Sequence, residues 1–194
     1  MAQQTSLFGA EPRTFTSGEQ GDVVYYPAVF SAGESEKLFR DLERSLPWSQ
    51  ETMWMYDRTV DVPRLIARFP PGERPPQELF AVKRRIESYL DTTFTSLSVQ
   101  YYRDGNDSVA WHNDHRDELV ALPTIALLSL GATREILVRS KARPRQTFSC
   151  DLEPGSLFVM SGHSQEFWEH HIPKVKRPIG PRISVALRQS VTGT

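Results

Sequence analysis

Two histidines and an aspartate crowd into four positions, His112, Asp114 and His115, within the stretch AWHNDH. Imidazoles and carboxylates bind Fe(II) or Zn(II) and also carry protons, so the chemistry on offer depends on which side chains converge. In an extended segment residues two apart share a side, which brings His112 and Asp114 together and turns Trp111, Asn113 and His115 away. A helix would instead pair His112 with His115, but the turn at Gly105 and the strand-like run before it argue against one. A mononuclear site needs a third protein ligand. His163, His170 and His171 are the candidates, because MSGHSQEFWEHHIP follows an apolar strand that can return to the same place. Two histidines and one carboxylate leave coordination positions open, as in non-haem Fe(II) oxygenases, and Zn(II) with a bound water uses similar donors.

A second pattern lies near the C-terminus. In PRISVALR a two-residue period puts Arg182, Ser184, Ala186 and Arg188 on one face and Ile183, Val185 and Leu187 on the other. Two guanidinium forks on a face of small residues suit a dicarboxylate, the plainer alternative being one ion pair and one exposed arginine.

The elements that must carry these groups change character along the chain. Residues 1–20 are rich in Gly, Ser, Thr and Gln and read as a flexible tail; within it QTSLF, Gln4 to Phe8, resembles the short motif that hooks bacterial repair proteins onto the sliding clamp. DVVYYPAVF reads as a strand. Ser31 to Leu46 has a serine cap and apolar residues at helical spacing, and Pro76 to Leu90 carries a second helical stripe. Between them lie strand-like fragments interrupted by prolines. From FTSLSVQYY onward the period falls to two, with strands in TIALLSLG, TREILVRS, QTFSCDLEPGSLFVMSG and PRISVALR. Helices first and short antiparallel strands afterwards predict an α+β fold whose jelly-roll core is braced by N-terminal helices, although an immunoglobulin-like sandwich has the same strand spacing.

Composition narrows the function classes. A net charge of -1 over 194 residues makes no global case for nucleic acid, but residues 134–194 hold 10 Lys and Arg against 5 Asp and Glu, which allows a local anion-binding face. The single cysteine, Cys150, excludes an intrachain disulfide and a multi-thiolate zinc site. No segment approaches the about 18 continuous apolar residues of a membrane span. A cytoplasmic monomer without membrane contact is the expectation.

Taken in order, QYYRDGNDSVAWHND, SLGATREILVR, EPGSLFVMSG, FWEHHIPK and PRISVALR, with VPRLIARF ahead of them, resemble the AlkB family of Fe(II)- and 2-oxoglutarate-dependent dioxygenases. The resemblance runs from about residue 60 to the end. It implies a double-stranded β-helix, with residues 21–194 as a single domain: helices and a nucleotide-lid-like segment in 21–95, the catalytic core in 96–194. It implies iron ligands at His112, Asp114 and His170. Tyr102 and Arg182 would hold the distal carboxylate of 2-oxoglutarate, with Gln100, Ser184 and Arg188 completing its pocket. The family commonly has Asn at the positions of Gln100 and Ser184, and an acidic pair where this chain continues with His115 and Arg116. The implied reaction consumes 2-oxoglutarate and O2 and removes N-alkyl groups from bases of the 1-methyladenine and 3-methylcytosine type in DNA, releasing formaldehyde, succinate and CO2; tRNA, other RNA or a protein side chain is the alternative substrate. Trp54, Arg64, Phe69, His115, Arg116, Arg134 and Glu135 are the expected substrate-side residues, with the aromatic ones stacking on an extruded base and Arg134 reaching phosphates. Trp111, facing away from His112, is expected in the core.

Overall fold

A computed structural model of the chain describes residues 11–55, 57–69, 75–114 and 116–191. Twelve strands, three α-helices and one 3-10 helix (Arg116–Glu118) are assigned among them. In chain order they are β1 (Arg13–Thr16), β2 (Asp22–Tyr26), α1 (Ala32–Ser45), β3 (Ser49–Met55), β4 (Arg58–Arg68), α2 (Gln77–Leu90), β5 (Ser96–Tyr102), β6 (Val109–His112), β7 (Ile125–Gly131), β8 (Arg134–Ser140), β9 (Thr147–Leu152), β10 (Leu157–Ser161), α3 (Ser164–Phe167), β11 (Trp168–Ile172) and β12 (Arg182–Arg188). Eight strands form a major antiparallel sheet in the order β1-β2-β10-β7-β12-β5-β4-β3, and four form a minor sheet, β6-β11-β8-β9. Consecutive strands β9 and β10 fall in different sheets, the crossing that separates a jelly roll from a meander. No described helix is long and apolar enough to cross a membrane.

Alternation along the strands builds two cores. Leu157 and Val159 of β10 and Ile183, Val185 and Leu187 of β12 face the helices, where they meet Leu42 of α1 and Leu79, Val82 and Ile86 of α2. The other faces point between the sheets, where Phe158 and Met160 meet Ile136, Val138, Cys150, Trp168 and Ile172. The major sheet thus has one greasy side for the helices and one side on which the polar residues of β12 look into the jelly roll.

The two expected helices form, and α1 opens on a capping box: the Glu34 N–H donates to Ser31 Oγ while the Ser31 N–H donates to the Glu34 carboxylate. The proline-interrupted stretch is a long β3–β4 hairpin, whose register shifts between Gln50 and Thr52 opposite the part of β4 that holds Pro63. One expectation is corrected. The tail does not extend to residue 20, because Arg13–Thr16 pairs with β2 and Phe15 stacks on Phe148 with ring centroids 4.6 Å apart. Four residues bearing one aromatic are too short a pattern to read in isolation. The clamp-like pentapeptide Gln4 to Phe8 lies outside the described residues.

Candidate active site

The minor sheet supplies two of the three candidate ligands directly. His112 ends β6 and His170 lies opposite it on β11, with the rings 4.2 Å apart. Asp114 follows just beyond β6, and its Oδ1 is 3.9 Å from His112 Nε2. One ligand atom from each of the three can be chosen so that all lie within 4.8 Å of one another. The extended geometry therefore joins His112 to Asp114, and β11 chooses His170 among the three later histidines. His171 points to the opposite face, bonded to the Val109 carbonyl, and His163 pairs with Glu166 at 3.5 Å. His115 lies outside the described residues.

Protonation favours ligation. The His112 Nδ1–H donates to the Ala110 carbonyl at 2.8 Å, which leaves the Nε2 lone pair free. Burial, reinforced by His112, pushes His170 down to about 3, and burial also lowers His112. Burial alone would raise the Asp114 carboxyl, but the Arg188 guanidinium, its Nε 2.6 Å from Asp114 Oδ2, and the neighbouring His170 hold it below the usual range. Two neutral imidazoles and one carboxylate need no deprotonation at neutral pH to bind a cation.

The same pocket continues past Gln100, Tyr102 and Arg64 to Arg182 and Ser184. Arg182 is fully buried, and burial brings it down to about 10, which still leaves it cationic at neutral pH. Its Nε donates to Ser129 Oγ at 2.7 Å and its Nη2 reaches Ser184 Oγ at 3.4 Å, while Tyr102 lies under the guanidinium with 5.1 Å from centre to centre. Its Nη1 is buried with no hydrogen-bond partner among the described residues. A buried cationic donor left unpaired is costly, and a carboxylate is the acceptor that matches the fork. Gln100 and Arg188 both donate to Ser98 Oγ, at 3.0 and 2.9 Å, so a polar chain links the Gln100 wall to Arg188 and Asp114.

Comparison with known sequences bears on this geometry. Residues 69–190 match the 2OG-Fe(II) oxygenase superfamily. The chain belongs to that superfamily. It is 33% identical over 188 residues to the mouse alpha-ketoglutarate-dependent dioxygenase alkB homolog 3, a match covering 86% of this chain and 65% of that protein. The chain thus spans about 65% of the length of that relative. Mouse DNA oxidative demethylase ALKBH2 is 28% identical over 84% of this chain and 78% of its own. Among solved structures, the non-heme alpha ketoglutarate dependent epimerase SnoN superposes with a TM-score of 0.62 at 16% identity, covering 87% of this chain and 76% of that one, a likeness of fold alone. The jelly roll and the AlkB-like character of the motifs stand, and the donor set with the unpaired Arg182 Nη1 fits Fe(II) and 2-oxoglutarate as the superfamily's cofactors.

The expected substrate residues do not all gather there. Arg64 lines the pocket, its Nη1 donating to the Ser108 carbonyl at 3.4 Å and its buried Nε without a partner among the described residues. Trp54 stands 71% exposed on β3, and Arg116 pairs with Glu166 at 3.2 Å near the surface. Three readings are corrected. Arg134 is 1% exposed and donates to the carbonyls of Asp104, Asp107 and Pro173, so it clasps the turn before β6 rather than reaching phosphates. Alternation along β8 explains this, since Arg134, Ile136 and Val138 point inward and Glu135 outward. Phe69 packs against the helix-side core and is not part of the pocket wall. Trp111 does face away from His112, but toward the outer side of the minor sheet beneath Arg139, 4.1 Å from the ring centroid, not into the core. Sequence reasoning missed Ser129 and Gln165. Ser129 was visible as one hydroxyl in an apolar buried run, whereas Gln165 contacts Asp114 from 51 positions away.

Proposed function

We propose that this chain is an Fe(II)- and 2-oxoglutarate-dependent dioxygenase that dealkylates nucleic-acid bases, with N-alkylated DNA of the 1-methyladenine or 3-methylcytosine type as its substrate. The observation that carries the cofactor half is one pocket holding His112, Asp114 and His170 together with a buried Arg182 whose Nη1 lacks a partner among the described residues. The substrate half is supported by the similarity to AlkB homologs and to a protein named as a DNA oxidative demethylase. When bound, Fe(II) with 2-oxoglutarate and O2 supplies the oxidation: 2-oxoglutarate becomes succinate and CO2, and the second oxygen atom enters a substrate C–H bond.

The chain's own residues do the rest. His112, Asp114 and His170 would hold the metal, with Arg188 fixing the aspartate carboxylate and the Ala110 carbonyl fixing the His112 tautomer. Arg182, steadied by Ser129 and Ser184, would take the distal carboxylate against the Tyr102 ring, and Gln100 would offer its amide to the pocket wall. Arg64, in the pocket wall, would face the substrate, while the exposed Trp54 would meet the nucleic acid from the β3–β4 hairpin. A hydroxymethyl group on a ring nitrogen then breaks down to formaldehyde and the restored base.

The test is turnover of oligonucleotides carrying 1-methyladenine or 3-methylcytosine, as DNA and as RNA, with Fe(II), 2-oxoglutarate and O2. Succinate and formaldehyde appearing in step with loss of the DNA methyl group is the expected result. Succinate formed while every DNA methyl group stays in place contradicts the substrate assignment, and demethylation of the RNA alone moves it to RNA.

A further inference from the structure

Asp114 is the only candidate ligand outside the minor sheet, and that creates a problem of placement. His112 and His170 are fixed by the β6–β11 ladder, whereas Asp114 follows the end of β6 and lies outside that ladder. Arg188 meanwhile grips its carboxylate at 2.6 Å from the floor of the major sheet. An unanchored aspartate would be free to follow that cation, since a strong charge-assisted bond competes for the oxygens a metal needs.

We propose that Gln165 is the positioning residue for Asp114, anchoring its backbone so that the carboxylate stays with the two histidines while Arg188 orients it. The Asp114 N–H donates to Gln165 Oε1 at 2.9 Å in a buried contact. The other end of that amide is engaged as well, with Nε2 directed at Met160 Sδ at 3.5 Å. The Gln165 carbonyl accepts from Lys141 Nζ at 2.9 Å. Around it the chain is seated closely. A Cβ on Gly21 would lie 2.1 Å from the Ser164 nitrogen, so the β1–β2 turn packs its bare backbone against α3, and the Trp168 indole N–H donates to the Gln20 carbonyl at 3.2 Å. Because α3 runs directly into β11, one short segment locates two ligands, His170 through the strand and Asp114 through the Gln165 side chain.

The inference rests on the reading of His112, Asp114 and His170 as metal ligands, and Co(II) alone can separate the two. The full chain, free of metal and kept anaerobic, is titrated with Co(II) by visible absorption as wild type, Q165N, Q165L and Q165E. Asparagine keeps the amide but is one methylene short, leucine removes the acceptor, and glutamate keeps an acceptor oxygen at the same reach. Q165N and Q165L are expected to bind Co(II) about 10- to 100-fold more weakly, the usual effect of removing a group that orients a ligand. They should also show a shifted Co(II) absorption band, whereas Q165E should keep both the affinity and the band of the wild type. Q165N binding as tightly as wild type, or Q165E failing as badly as Q165N, overturns the proposal. Wild type that binds no Co(II) overturns the metal reading and this inference with it.

Discussion

Asp114 meets Arg188 through its carboxylate and Gln165 through its backbone, and each partner makes a separate demand on residue identity. Asp114→Ala should abolish metal binding and turnover by removing the carboxylate donor. Arg182→Ala should leave metal binding intact and weaken 2-oxoglutarate by about 10- to 100-fold, the worth of roughly 1.5–3 kcal/mol for bonds to a charged group. Measured by anaerobic titration, equal 2-oxoglutarate affinity in both proteins would contradict the assigned role. Protons test His170 independently. Unfolded, it titrates near about 6.5, but in the fold burial holds it down to about 3. Its contribution to the stability of the metal-free protein is therefore complete above the unfolded value and lost progressively as pH falls toward the folded one. The urea midpoint should drop from pH 7 to pH 5, and drop less in His170→Asn; parallel profiles would show that His170 is not the group responsible. At this scale side-chain direction was legible in sequence for His112, Asp114, Arg182 and Arg188, because a two-residue period assigns faces without tertiary information. Gln165 was not, because its partner is distant in the chain.

Elements decide where those residues sit, and Arg134 shows how an element can overrule a residue's usual chemistry. A positive charge beside a turn looked like a phosphate contact, yet β8 points it inward to close three backbone carbonyls around the turn before β6. Arg134→Met should cost about 3 kcal/mol or more by leaving those carbonyls without a donor. The fraction that folds should bind the proposed DNA substrate with an unchanged salt dependence, since no phosphate contact is lost. A normal urea midpoint with a shallower salt slope would restore the phosphate reading. Gly21 makes a comparable case. Its φ of +83° and the 2.1 Å approach of a Cβ to the Ser164 nitrogen leave no room for a side chain. Gly21→Ala should destabilise the protein by roughly 3 kcal/mol and loosen Co(II) binding through α3. Unaltered stability in urea would contradict the tight seating of the β1–β2 turn. Helices α1 and α2 were legible from their stripes and from the Ser31 cap, and the jelly-roll strands from their alternation. Strand β1 and helix α3 were not, since four residues complete too little of any period to show one.

Across the whole molecule the major sheet is shared by both cores, with β7, β10 and β12 at its centre. Cys150 reports on this from between the sheets, where it is buried and its thiol is pushed up to about 11 by that burial. It should resist thiol reagents at pH 8 in the native protein and react across the same urea range in which far-UV circular dichroism is lost. Reaction well before that range would mean that the sheets part separately. The shared sheet also brings β12 under the minor sheet, which is why the candidate metal ligands of β6 and β11 and the proposed carboxylate clamp of β12 line one pocket. An anaerobic titration tests that union most directly. The wild-type chain and Arg182→Ala are loaded with Fe(II), and 2-oxoglutarate is added while the visible spectrum is followed. One iron per chain is expected in both proteins, with 2-oxoglutarate producing a saturable new absorption band in the wild type and needing a much higher concentration in Arg182→Ala. Failure to retain iron, or a band that saturates at the same concentration in both, would contradict it.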